Sequence, residues 1–286
     1  MRPRAAANPL EHATCRWIFT ERREIILLMK VSGIGRVIFW GGGNLWIGLA
    51  VDAIELHAHH AIQIAIGFDG PVQFRPNSGV DWTQYHKGAL VRPGALHEFR
   101  APGQRIVNIL FEPETPLGRA LLERHGGAPI VPLDEEVSDL SAAFHRGADD
   151  EDLAQLSVSL IARLAGKRQP QKTTDRRILK TINWISDHID RPLSLTDAAA
   201  VAGLSEGRFR HLFVQEAGVG FRPYVLWTRL NRALEMGFGG SSWTEAAHVT
   251  NFADSAHLTR TCRRMYGLVP TSIRIDAAAE RPLATV

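Results

Sequence analysis

Between Ser194 and Gly267 the same local pattern occurs twice, and it constrains the fold more than anything else in the chain. Ser194 and Asp197 stand three apart, the spacing of a capping box with Asp in place of the usual Glu. They open a short Ala-rich helix to Ala202. Gly203 stands where a left-handed C-cap is needed, and Ser205 is placed to cap a second helix over about Glu206 to Glu216. The pattern then recurs. Ser242 and Glu245 open a short helix through Ala246, Ala247 and Val249, and Asn251 takes the turn, since Asn visits left-handed backbone more readily than most residues. Asp254 caps Ser255 to Tyr266, Gly267 closes that helix and Pro270 lies beyond it. Between the copies, Pro223 starts a longer helix, Tyr224 to Met236. Before them Ile178, Ile182, Ile185 and Ile189 form one apolar face. The prediction is two helix-turn-helix units joined by a bridging helix.

In each unit the second helix has an apolar side and a polar one. Phe209, Leu212 and Phe213 occupy i, i+3 and i+4 and face a core. Opposite them lie Gly207, His211 and Val214, flanked by Arg208, Arg210 and Gln215. In the second unit Leu258, Cys262 and Met265 face inward. Ala256, Arg260 and Arg263 point away, with His257, Thr259 and Arg264 beside them. Arg, His and Gln on an exposed helix face can read base edges, the amides beside Ser205, a helix cap first, can hold a phosphate, and Ser255 is a further candidate DNA contact. The alternative for each arginine is an ordinary solvated charge. For Arg229 and Arg232, on the bridging helix, pairing with carboxylates is the expected role.

These residues resemble the DNA-binding domain of the AraC/XylS family. The resemblance rests on Leu193-Ser194-Leu195, Ala198-Ala199, Gly203-Leu204-Ser205, Phe209, Leu212-Phe213 and Gly218. It continues through Tyr224, Arg229-Leu230, Ala233, Glu245-Ala246-Ala247, Asn251-Phe252, Ser255-Ala256-His257-Leu258, Arg260, Tyr266-Gly267, Pro270 and Arg274. It implies two recognition helices entering successive major grooves, about one helical turn (~34 Å) apart. Three residues depart from the family pattern, all in the second unit: Asn251 for Gly, Cys262 for a core Phe, and Trp243 for a β-branched or aliphatic residue. Gly207 leaves the tip of the first recognition face without a side chain.

The first half of the chain has a different texture. From Val31 to Glu112, short apolar runs alternate with turn signals: Gly41-Gly42-Gly43-Asn44, Asp69-Gly70 (read as a hairpin turn), Pro76-Asn77-Ser78-Gly79 and Pro93-Gly94. Ile62, Ile64 and Ile66 keep a period of two. Such spacing predicts a β-barrel or sandwich. His57, Ala58, His59, His60 and Pro93-Gly94-Ala95-Leu96-His97 resemble the two motifs of a cupin barrel. In a metal-binding cupin, His57, His59 and His97 would be ligands, but the acidic position holds Gln63, a poor transition-metal ligand. No metal and no cofactor are expected; the histidines would instead supply hydrogen bonds or fill the barrel mouth. A cavity there would bind a small-molecule effector, with Trp46, His59, Trp82, Tyr85 and His97 as candidate lining residues. Core packing is the competing role for the tryptophans.

The expected architecture is therefore α+β with two domains. Residues 1–30 form an extension expected to be disordered, with Met29 a natural start; 31–115 a cupin-like sensor; 116–170 a helical segment and linker; 171–275 the double helix-turn-helix domain; 276–286 a tail. Val137, Leu140, Ala143 and Phe144, then Leu153, Leu156, Leu160, Ile161 and Leu164, mark two amphipathic helices for a homodimer contact or for packing on the barrel. The chain has 286 residues and a net charge of +3. Lys172 to Arg274 holds 14 Lys and Arg against 9 Asp and Glu, an imbalance that suits a polyanion. Two cysteines, Cys15 and Cys262, cannot make a disulfide framework or a zinc-finger ligand set. No apolar run spans a membrane and no secretory signal is evident, which points to the cytoplasm. No nucleophile–base pair or phosphate-binding glycine motif stands out, so a non-enzyme is expected. The reading is a transcription regulator binding double-stranded DNA and an effector, with RNA polymerase as a further partner. The rivals are a metal-dependent cupin oxygenase and a constitutive DNA binder whose barrel only dimerises.

Overall fold

The computed structural model describes residues 31–134, 137–166, 170 and 173–275; the extension at 1–30 and the tail at 276–286 lie outside them. The first half is built from β1 (Gly33–Trp40), β2 (Gly43–Ala50), β3 (Ile54–His57), β4 (Ile62–Gly67), β5 (Val72–Arg75), β6 (Thr83–Tyr85), β7 (Ala89–Val91), β8 (His97–Arg100) and β9 (Gln104–Phe111). Then come α1 (Pro116–Arg124), β10 (Ile130–Pro132), α2 (Ser138–His145) and α3 (Asp150–Ala165). The second half holds α4 (Arg176–Asp187), α5 (Leu195–Ala202), α6 (Glu206–Ala217), α7 (Phe221–Phe238), α8 (Trp243–Val249) and α9 (Ser255–Tyr266), and ends in β11 (Ile273–Ile275).

The strands form two sheets, ordered β10-β7-β4-β9-β2-β1-β11 and β3-β8-β5-β6. No ladder joins the two sheets among the described residues, so the cupin-like domain is an open barrel. Asp69-Gly70 is a tight turn without being a hairpin: it carries the chain from the larger sheet into the smaller one. The approach is close, since a Cβ on Gly67 would sit 2.0 Å from the Gly70 carbonyl oxygen. Pro76 to Gly79, by contrast, does join paired strands, β5 and β6, and Asn77 Oδ1 accepts from Gly79 N at 3.0 Å.

The two faces of the larger sheet have different partners because side chains alternate along a strand. One face carries Leu45, Ile47, Ile62, Ile64, Val107 and Ile109, all buried against α1, α2 and α3. At roughly 1.5–3 kcal/mol per fully buried aliphatic side chain, this layer is the main stabilising mass of the first half. It also uses up the apolar stripes of α2 and α3: Leu140, Leu153, Leu160, Ile161 and Leu164 all lie within it. Packing on the barrel, the second of the two roles expected for these helices, is what occurs. The opposite face looks toward the smaller sheet and the helical half. Gly35 and Gly48 pair across β1 and β2 there, where a Cβ on either would strike the other strand's backbone.

The helical half has two cores. Ile178, Ile185, Phe209, Phe213, Phe221 and Tyr224 pack in the first, and Leu230, Leu234, Ala246, Leu258 and Cys262 in the second. The bridging helix α7 runs through both and starts earlier than Pro223 suggests, at Phe221 after Gly220. The two halves also share backbone pairing. Beyond a short 3₁₀ turn at Pro270–Ser272, β11 pairs in parallel with β1, Ile273 opposite Gly33.

Candidate nucleic-acid interface and effector cavity

The first helix-turn-helix is formed by α5 and α6. Ser194 Oγ accepts from Asp197 N at 3.0 Å and donates to Asp197 Oδ2 at 2.6 Å, which pins the start of α5. Gly203 takes the left-handed cap with φ 65°. Ser205 differs from expectation: it is the N-cap of α6 by backbone geometry, yet its hydroxyl makes no capping bond. Phe209 and Phe213 are fully buried, while Gly207, Arg208, Arg210, His211 and Gln215 are all exposed. No ion pair engages Arg208 or Arg210 among the described residues, so this cationic face is open.

The second unit is formed by α8 and α9. Ser242 Oγ accepts from Glu245 N at 3.1 Å and Asp254 Oδ1 from His257 N at 2.6 Å. Asn251 adopts φ 58°, the one positive φ outside glycine among the described residues. The other two family departures are also accommodated. Trp243 lies over Gly237 of α7, where a Cβ would come within 2.1 Å of the indole, and meets Phe238 edge-on at 5.4 Å. Cys262 is fully buried, and burial pushes its thiol pKa up, so it is a packed thiol.

The outward face of α9 differs from that of α6. Ala256, Arg260, Arg263 and Arg264 are exposed. His257 is half-buried against Phe252 at 5.2 Å, and half-buried Thr259 donates to the Ser255 carbonyl at 2.8 Å. Arg263 is held by the barrel, donating to Glu55 on β3 through Nε and Nη2. Just beyond, Glu55 N donates to the Gly267 carbonyl at 3.1 Å. On the bridging helix, Arg232 pairs with Glu235 as expected, whereas Arg229 donates to the backbone carbonyls of Ile189 and Arg191.

This docking closes a cavity. Val37, Phe39, Trp46, Asn108 and Leu110 line it from the larger sheet, with His57, His59 and Gln63 deeper in. Leu234, Phe238, Cys262, Tyr266 and Leu268 cover it from the second helix-turn-helix. Of the five residues expected to line a barrel cavity, Trp46 and His59 do so. Tyr85 packs edge-on against Phe74 between the sheets, and Trp82 lies between the guanidinium groups of Arg75 and Arg100, at 4.4 and 4.3 Å. His97 is fully buried behind the lining. Asn108 was missed by sequence reasoning. Its signal is a lone amide interrupting the apolar run Ile106-Val107-Asn108-Ile109-Leu110.

His57, His59 and His97 converge, with potential ligand atoms within 4.8 Å of one another. Each Nδ1 faces a backbone carbonyl, of Glu55, Ala61 and Ala95 respectively, at 2.8–2.9 Å. With Nδ1–H donating there, each Nε2 is left as an acceptor. Gln63 Oε1 lies 3.1 Å from His59 Nε2 and 2.9 Å from His97 Nε2; turning the amide by 180° brings its NH₂ to the same place and offers both nitrogens a donor. Burial, reinforced by the charge of His59, lowers the His57 pKa to about 3; burial also lowers those of His59 and His97. Neutral imidazoles suit a transition metal, while the fourth position, a neutral amide already engaged by His59 and His97, suits it poorly.

A second polar cluster joins the barrel to the first helix-turn-helix. Glu114 accepts from Tyr224 at 2.5 Å and lies 3.0 Å from His60 Nε2. Burial pushes the Glu114 pKa up, but the bonds to His60 and Tyr224 and the charge of His60 hold it below the ordinary range. Neighbouring Glu112 is raised to about 7 by burial and by the charge of Glu114. Arg119 of α1 reaches Glu216 of α6 at 2.9 Å and Thr174 at 2.6 Å.

Residues 198–275 match a family model described as a helix-turn-helix domain. The probable transcriptional regulator LumQ of Photobacterium leiognathi is 28% identical over 75% of this chain and 90% of its own. The HTH-type transcriptional regulator YidL of Escherichia coli (strain K12) is 32% identical, but over only 38% of this chain and 36% of its own length. Among solved structures, unsaturated fatty acid bound wild-type ToxT from Vibrio cholerae strain SCE256 superposes with a TM-score of 0.53 at 11% identity, covering 82% of this chain and 93% of that one. Two capped helix pairs on a bridging helix, behind a cupin-like sheet domain, define a helix-turn-helix transcription regulator. In this it resembles regulators of the AraC type, the helix-turn-helix match spanning residues 198–275. No helix among the described residues is long and apolar enough to cross a membrane.

Proposed function

We propose that this regulator binds specific DNA through Arg208, Arg210, His211 and Gln215 of α6 and Arg260 with its neighbours on α9, under control of a small molecule held in the cavity between barrel and α9. The observation that carries the reading is the contrast between the two recognition faces. That of α6 is open to solvent, whereas α9 is bound to the barrel by Arg263 and roofs the cavity through Cys262 and Tyr266. A ligand there touches the reading half directly, so its binding biases the position of α9. The fatty acid named in the ToxT structure supports small-molecule control of this kind of two-domain chain. Phosphate contacts bring the protein to DNA and base contacts choose the site. Pairing of two copies uses a surface other than the buried stripes of α2 and α3.

The test is binding of the full chain to its own upstream intergenic DNA, against scrambled DNA, over a salt series. Preference for the upstream DNA, relaxed in Arg210→Ala and Arg260→Ala, supports the reading; equal binding unaffected by either substitution counts against it. A second reading, a metal-dependent cupin enzyme with a DNA-binding tail, draws on the three-histidine cluster. Tight stoichiometric metal in purified protein, lost in His97→Ala, would favour it.

A further inference from the structure

The cavity has a definite chemistry. Most of its wall is apolar, and two buried polar atoms in its lining residues have no hydrogen-bond partner: Trp46 Nε1 and Asn108 Oδ1. The two residues face each other in register across β2 and β9, so their side chains share the cavity face of the sheet. One is a donor without an acceptor and the other an acceptor without a donor, a state that buried polar groups rarely keep unless something else fills the need. No Lys or Arg is found in the lining among the described residues, and its one carboxylate residue is Asp52.

Building on the effector reading above, we propose that the cavity takes an uncharged, mainly apolar ligand whose polar end both donates and accepts a hydrogen bond, such as a primary amide or an alcohol. The polar end sits between Asn108 Oδ1 and Trp46 Nε1, and the apolar part runs toward Phe39, Leu234 and Phe238. A carboxylate is disfavoured: it would lose its hydration without meeting a cation, and it offers Asn108 Oδ1 no proton.

The test is calorimetric titration of the full chain, at mildly alkaline pH, with three probes of equal chain length: decanamide, 1-decanol and decanoate. The amide and the alcohol are expected to bind on the order of tenfold more tightly than the carboxylate. Trp46→Phe, which keeps an aromatic ring and removes the donor, and Asn108→Leu are each expected to weaken the amide and to narrow its lead over decanoate. Decanoate binding as tightly as decanamide, or a lead unchanged in both variants, would overturn the assignment of ligand class and leave effector control standing. Failure of all three probes to bind would overturn the effector reading itself, and this inference with it.

Discussion

Arg263, on the second recognition helix, donates to Glu55 of the barrel through Nε to Oε2 and Nη2 to Oε1, each at 2.9 Å. A guanidinium engaged in this forked geometry is not available to a phosphate or a guanine at the same time. Glu55→Gln should therefore raise affinity for specific DNA, by less than about tenfold because exposed ion pairs are weak. Fluorescence anisotropy with labelled operator DNA measures it. Unchanged or weaker binding would show that the docked and DNA-bound states share this contact.

The exposed arginines divide by what they touch. Arg210 and Arg260 have no protein partner in the described structure, and their loss to Ala is expected to cost ~1–3 kcal/mol of specific binding and to relax base preference at one position each. Arg229 instead holds the turn that follows α4 through the carbonyls of Ile189 and Arg191. Arg229→Ala should lower the melting temperature and leave the ranking of DNA sequences intact. A mutant DNA library and a thermal melt, run together, separate the two behaviours.

Glu112 predicts a pH dependence of known sign. Its folded pKa of about 7 lies above the ordinary 4.5, so between those values the folded state binds more protons than the unfolded one. Its contribution is fully present below 4.5 and is lost as pH rises through 7. Glu112→Gln should accordingly raise the melting temperature above pH 7, with a smaller gain at pH 5. The histidine cluster works oppositely: with His57 lowered from 6.5 to about 3, its contribution is lost as pH falls through that range. A gain from Glu112→Gln that is flat across pH would mean that burial does not hold the proton.

Gly267 closes α9 at φ 70°, and a Cβ there would lie 2.3 Å from the Glu55 carbonyl oxygen and 2.7 Å from His57 Nδ1. Gly267→Ala is strained both by its backbone and by its neighbours. The expected loss is at least the ~1–3 kcal/mol of a left-handed non-glycine residue, together with a looser seat of α9 on β3. Thermal melts and faster hydrogen exchange in β3 would register it; wild-type values for both would mean that the contact is absent in solution.

The helical half was legible because its signals are local. Ser194, Gly203, Ser242, Asn251, Asp254 and Gly267 act through the backbone within a few residues of themselves, and each sits in the structure where its chemistry places it. The compensation for Trp243 was also written locally, as a glycine at 237 inside a helix where glycine is otherwise a cost. The sheet domain was legible as a texture of short strands and turns. Its partition into two sheets was not, because Asp69-Gly70 reads the same whether the next strand returns beside β4 or crosses away. Trp82 shows the limit for site residues: an aromatic near a cavity and one clamped between Arg75 and Arg100 look alike until distant strands are brought together. Glu55 and Glu114 were invisible for the same reason, their partners lying 208 and 110 residues further along.

The parallel ladder between β1 and β11 makes the molecule a closed circuit. Its reading half is fastened to the sensor at both of its own ends, covalently through the stretch before α4 and by hydrogen bonds through Ile273 to Ile275. A single protease cut between Gly166 and Thr174 would then yield two fragments that still travel as one particle, because β11, α9 and the cavity wall continue to grip. Swinging the second helix-turn-helix free demands the peeling of a strand as well as the parting of Arg263 from Glu55.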